Sequence, residues 1–157
     1  MPPPAETVVA GWREWVALPG CGVPWVKAKL DTGARSSAIH AFDVSEVVRD
    51  GETWVRFSIH PWQRSSEDSA VVEALLLDRR VVRSSSGHAA ERYVVEMDVT
   101  LMGRTLTTEM TLSNRDQMGF RLLIGRQALR QGFVVDSARS YLGGHPKRAV
   151  RRRNKGR

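Results

Sequence analysis

Apolar residues recur along this chain in short runs, several of them alternating with polar positions. The runs are Trp12 to Leu18, Trp25 to Leu30, Trp54 to Ile59, Ala70 to Leu77, Tyr93 to Leu101 and Thr105 to Leu112. A period of two puts alternate side chains on one face, so each run predicts a strand. Between them stand Pro19-Gly20, Asp50-Gly51, Ser84 to Gly87 and Met102-Gly103, residue types that set a fixed or positive φ and turn one strand back on the next. One helix is predicted over Arg126 to Arg130, where Gln, Ala, Leu and Arg favour helix and Gly132 follows as a stop. Phe133-Val134-Val135 then resumes a strand. The pattern predicts a mainly β domain: a small closed β-barrel or folded sheet with one short helix.

A length of 157 residues suits one domain and is too short for two independent cores. Residues 1–6 read as a flexible leader because Pro2, Pro3 and Pro4 favour extended, donor-poor backbone. The fold is expected over 7–144. The net charge of +7 belongs to the C-terminal segment, since seven of the 24 basic residues lie after His145 and all 17 acidic ones before it. Residues 145–157 therefore read as a basic, disordered tail, a solvated segment or a contact for ribosomal RNA or another polyanion. The single Cys21 cannot form an internal disulfide, the N-terminus lacks the layout of a signal peptide, and no apolar run reaches membrane-spanning length. The expected compartment is the reducing cytosol, with no membrane partner.

Candidate chemistry concentrates at Asp31-Thr32-Gly33-Ala34, directly after the apolar run Trp25 to Leu30. A carboxylate at a strand-to-turn junction can be held by the backbone N–H groups that Gly33 brings close, while the Thr32 hydroxyl can reach a partner backbone. The same triplet also forms ordinary Asx turns. Some ninety residues on, Leu122-Leu123-Ile124 is closed by Gly125-Arg126 and followed directly by the predicted helix.

Together these two elements resemble the retropepsin core, in which a DTGA turn and an apolar-apolar-Gly-Arg segment cross beneath the active site. The resemblance extends over about residues 8–143 to a bacterial retropepsin-like family that also carries the name ATP-dependent zinc protease. It includes RimB-type enzymes, implicated in trimming glutamate tails added to a ribosomal protein. Gly11-Trp12-Arg13-Glu14, Val82-Arg83-Ser84-Ser85 and Glu91-Arg92-Tyr93 share in it. The resemblance implies a flap hairpin over Val81 to Val95, its tip at Ser84-Ser85-Ser86-Gly87-His88; the composition alone also fits a solvent-exposed turn. It further implies catalytic roles for Asp31, Thr32 and Gly33, with structural support from Ile124, Gly125 and Arg126. Substrate contacts are expected at Ala34, Ser86, Gly87 and His88, and, from their places beside the turn and the flap, at Arg35, Arg83 and Arg92, each of which also fits a solvated surface charge. Viral retropepsins place an acid after DTGA, paired with the arginine of the Gly-Arg segment. Here Arg35 stands there, so Arg126 is expected to find another carboxylate or a carbonyl.

With one Asp-Thr-Gly per chain, a pair of carboxylates sharing a proton requires a homodimer with Asp31 of each subunit across a twofold axis. The expected activity is aspartic endopeptidase, with an acidic, glutamate-rich substrate. The rival is a non-catalytic peptide-binding or ribosome-associated module on the same scaffold. No metal or other cofactor is expected: HExxH and GxxxxGK[ST] are absent, and His40, His60, His88 and His145 have no ligand-like spacing. No GxSxG elbow accompanies Ser84 to Ser86. Trp12, Trp15, Trp25 and Trp54 lie in strand runs and read as core or rim, Trp62 as the exposed one.

Overall fold

A computed structural model describes residues 6–61, 69–83, 87–113 and 119–149. Its strands are β1 (Val8–Gly11), β2 (Arg13–Leu18), β3 (Val23–Leu30), β4 (Ser37–His40), β5 (Phe42–Arg49), β6 (Glu52–Ile59), β7 (Ala70–Arg83), β8 (Ala89–Leu101), β9 (Arg104–Ser113), β10 (Leu122–Ile124) and β11 (Phe133–Asp136). A 3₁₀ turn, Pro19–Cys21, and one helix, α1 (Arg126–Leu129), complete the described elements. The mainly β, retropepsin-like expectation with one short helix holds.

Alternation explains most strands. On β3, Val23, Val26, Ala28 and Leu30 are buried while Pro24 and Lys29 face outward. On β9, Leu106, Thr108, Met110 and Leu112 are buried and Thr105 and Thr107 exposed. Two hairpins turn on residue pairs with positive φ: Asp50 and Gly51 (50° and 80°) between β5 and β6, and Met102 and Gly103 (53° and 77°) between β8 and β9. Positive φ at both central positions matches the twist of the flanking strands.

The strands of the main sheet run β2-β3-β10-β4-β9-β8-β7-β6-β5, and a further pairing of β2 with β8, Ala17 opposite Thr100, joins six of them into a ring. The barrel expectation is thus met by a ring closed through one residue pair, with β7, β6 and β5 extending from it. Phe57, Leu18, Ile39, Ile59, Leu101, Met110, Leu122 and Ile124 are fully buried in the core, each contributing about 1.5–3 kcal/mol relative to exposure. A separate parallel pair, β1 with β11, sets Val8 to Gly11 beside Phe133 to Asp136.

What positions the site is β10. It lies parallel to β3, with Ile124 opposite Leu30, and antiparallel to β4, with Leu122 opposite Ile39. The chain leaves β3, makes the Asp31 turn and returns as β4, with β10 inserted between the two.

The N-terminal segment is fixed by a buried acid. Glu14 is 0% exposed. Its Oε2 accepts from the backbone N–H of Gly11 (2.6 Å) and Leu142 (2.9 Å), and its Oε1 from Gly143 N–H (3.0 Å). Three N–H donors answer the cost of desolvating a carboxylate and tie residues 142–143 to β2.

Candidate active site

The Asp31 turn is held from two sides. Its own backbone closes it: Gly33 N–H donates to Asp31 Oδ1 (2.9 Å) and Ala34 N–H to the Asp31 carbonyl (3.3 Å). From beneath, the Ile124 carbonyl accepts the Asp31 N–H (2.8 Å), and the Ala34 and Arg35 carbonyls accept from Arg126 N–H (2.7 Å) and Gln127 N–H (3.0 Å). The sequence-predicted residues Asp31 to Arg35 and Ile124 to Arg126 therefore form one unit, joined by backbone hydrogen bonds across about ninety residues of chain.

Gly125 makes the crossing possible. A Cβ there would stand 2.5 Å from the Ser36 carbonyl oxygen and 3.0 Å from that of Ala34, so only glycine lets the two backbones approach this closely. Its N–H donates to Ser37 Oγ (3.0 Å), and Ser37 is buried. Ser37 is a site-supporting residue that sequence reasoning missed: the run Ser36-Ser37-Ala38-Ile39-His40 has no clean alternation, and its strand state follows from lying between β10 and β9. Glu14, singled out within Gly11 to Glu14 by the resemblance, was given no role there; its burial was signalled by an acid amid Trp12, Trp15 and Val16.

Asp31 is half-buried, with Thr32, Gly33 and Arg35 exposed and Ala34 half-buried. Among the described residues, the Asp31 carboxylate accepts from Gly33 N–H and from no side chain. Arg126 was expected to find another carboxylate or a carbonyl: its backbone N–H donates to the Ala34 carbonyl, while its side chain is exposed and forms no ion pair with a carboxylate among the described residues.

The predicted flap hairpin is present as the β7–β8 pair, running from Leu76 opposite Val95 to Arg83 opposite Ala89. Ser84 to Ser86 and the Arg83 side chain lie outside the described residues, as does Trp62. Gly87, at φ 84°, and His88 are exposed. The arms are anchored by charge. Arg80 bonds Asp78 (2.9 Å) and Glu109 (3.0 and 3.3 Å), and Arg79 bonds Glu46, which also accepts from the Tyr93 hydroxyl (3.1 Å). The Arg80 hydrogen bond, then the Arg79 N–H, hold the Asp78 carboxyl below its ordinary range. Burial, with the Glu46 bond, raises the Tyr93 phenol. Arg92, directly opposite Arg80 in the ladder, is half-buried beside a cavity of about 170 Å³ also lined by Glu91, Tyr93 and Ser113. No ion pair links it to a described residue, while Arg80 is fully engaged.

The remaining candidate chemistry does not converge. Among the described residues no group of three His, Cys, Asp or Glu side chains is placed to hold a metal. His40 and His60 pack around Phe42, with ring centroids 6.2 and 4.4 Å from it. Trp15 is buried; Trp12, Trp25 and Trp54 are half-buried, as core and rim residues. No helix among the described residues is long and apolar enough to cross a membrane.

A β fold whose lone Asp-Thr-Gly turn rests on an inserted apolar strand ending in Gly-Arg belongs to the retropepsin-like class of aspartic peptidases. Comparison with known proteins narrows this. The model of the RimB-like family, described as retropepsin-like aspartic endopeptidase RimB, matches residues 9–146, and the chain belongs to that family. Two similar curated proteins, from Shewanella pealeana and Shewanella halifaxensis, are each 42% identical over 133 residues and are named probable alpha-L-glutamate ligase. The match covers 85% of this chain but 29% of each of those proteins, so the chain spans less than a third of their length. A similar solved structure is Lpg0085 from Legionella pneumophila, a protein of unknown function, with TM-score 0.74 and 25% identity over 87% of this chain and 98% of that one.

Proposed function

We propose that this chain is an aspartic endopeptidase that works as a homodimer, with the two Asp31 carboxylates facing each other across a twofold axis. The observation that carries the reading is the Asp31 turn itself. It is fixed from below by Ile124, Gly125 and Arg126, while Thr32 and Gly33 stay exposed on the side where a second subunit would complete the pair. In that pair one carboxylate is ionised and the other protonated. The ionised one removes a proton from the bridging water as its oxygen attacks the peptide carbonyl carbon. The protonated one gives its proton to the carbonyl oxygen, and collapse of the intermediate breaks the C–N bond as a proton passes to the leaving nitrogen.

The substrate is an acidic, glutamate-rich peptide tail, such as that of a modified ribosomal protein, and the compartment is the cytosol. Three cations support an acidic substrate: exposed Arg35 and Arg126 beside the turn, and Arg92 on the flap arm without an ion-pair partner among the described residues. The longer relatives support this reading, since proteins named probable alpha-L-glutamate ligase contain a region similar to this chain. Their ligase name also favours a second reading, in which the domain holds a glutamate chain without cutting it.

One experiment separates the two. Purified protein is incubated with a peptide library containing acidic runs, beside Asp31→Asn and mixtures of the two forms. Cleavage is expected to vanish in the variant, and variant subunits should poison the wild type. An Asp31→Asn protein that binds as before, in a system where neither form cleaves, supports the holding role.

A further inference from the structure

Away from the Asp31 turn, β7 and β8 part. They run together up to Leu76 opposite Val95, where a bulge between Leu76 and Asp78 breaks the register, and Ala70 to Leu75 pair with β6 instead. β8 next meets another strand on that side at Thr100, opposite Ala17 of β2. Glu96, Met97, Asp98 and Val99 therefore pair with β9 on one edge and with no strand on the other. Four such residues leave about two N–H and two C=O groups directed at the gap. An unpaired edge of this kind is a template for another strand.

The gap is a cavity of about 370 Å³ walled in part by Cys21, Trp54, Glu73, Glu96, Met97 and Asp98. Its charge is one-sided. Glu73 is engaged by Arg49 and Arg56, but Glu96 and Asp98 are exposed and have no cationic partner among the described residues. Glu96 lies opposite Glu109, which Arg80 engages, and among the described residues Asp98 accepts from the Thr107 hydroxyl (2.6 Å). Along β8 the exposed acids alternate with Met97 and Val99, which pack into the core, so the exposed face of this edge is acidic. Half-buried Trp54 adds a ring on which a guanidinium can stack.

We infer that this cleft docks an extended, cationic peptide segment of a partner protein, which adds as a strand to the free edge of β8 at Glu96 to Val99. Its backbone bonds the free edge and its Lys or Arg side chains face Glu96 and Asp98. Negative charge on the lining disfavours a nucleic acid here. The docking does not depend on cleavage at Asp31.

The test uses the ¹⁵N-labelled full chain and a capped synthetic peptide alternating arginine and valine, with a glutamate-for-arginine counterpart. Hydrogen exchange of inward-facing amides within Glu96 to Val99 should slow at least about tenfold at saturation. Added salt should weaken binding. Glu96→Lys combined with Asp98→Lys, both exposed positions, should weaken it at least about tenfold, and Asp31→Asn should bind like the wild type. The inference is overturned by unchanged exchange at Glu96 to Val99, by equal binding of the acidic counterpart, or by undiminished binding to the double variant.

Discussion

Replacing Gly125 by alanine should loosen the floor under Asp31 without altering the carboxylate. The glycine sits at φ −95° and ψ 179°, which alanine adopts freely, so the whole penalty is steric. The new Cβ would lie 2.5 Å from the Ser36 carbonyl oxygen, 2.6 Å from its carbon and 3.0 Å from the Ala34 oxygen. All three are backbone atoms and cannot rotate away. Forcing extra volume into such a contact costs about 1–3 kcal/mol. Separating the segments also strains the bonds from Gly125 N–H to Ser37 Oγ (3.0 Å) and from Asp31 N–H to the Ile124 carbonyl (2.8 Å); each is worth about 0.5–1.5 kcal/mol. With one bond lost, the expected destabilisation is about 2–4 kcal/mol, a large share of a typical total of about 5–15 kcal/mol. In urea, where the slope is about 1–3 kcal/mol per molar, the midpoint should fall by about 1 M or more. Tryptophan fluorescence follows the transition. The matched control is Gly20→Ala, where a Cβ would meet nothing within 4 Å and the change should stay within about 0.5 kcal/mol. Indistinguishable midpoints for the two variants would refute the close crossing of Gly125 over Ser36.

Removing the buried acid by Glu14→Ala leaves three backbone N–H groups without their acceptor and should cost at least about 3 kcal/mol; amide exchange at Leu142 and Gly143 should accelerate first, and unchanged exchange there would show that Glu14 does not hold them. Arg35→Glu should lower kcat/KM for acidic peptides far more than for neutral ones, with high salt reproducing part of the loss; equal effects on both would argue against acidic recognition. Burial pushes the Cys21 thiol from 9.0 up to about 11, so alkylation should be slow near neutral pH and rise steeply only as pH approaches that value, because the thiolate is the reacting form. Rapid labelling at about pH 8 would contradict that burial.

Much of this protein was legible in its residues. Alternation placed β3, β6 and β9 close to their observed limits, because each has one face on the core and one toward solvent. Asp50-Gly51 and Met102-Gly103 announced their hairpins through backbone conformations that few other pairs accept. The pairing of Asp31-Thr32-Gly33 with Ile124-Gly125-Arg126 was readable because both segments have strict local needs: a carboxylate on a tight turn, and a glycine where backbones touch. Other features depended on partners distant in the chain. β1 exists through β11, more than a hundred residues away, and β5 is mostly exposed and takes its form from β6. β4 carries Ser37 and His40 inward because β10 and β9 flank it. Three donors decided the burial of Glu14, two of them from the far end of the described chain. The free edge of β8 at Glu96 to Val99 likewise depends on where strands meet and part. Local residue patterns encode the period of a strand and the shape of a turn, whereas the neighbours on either side are set by long-range packing.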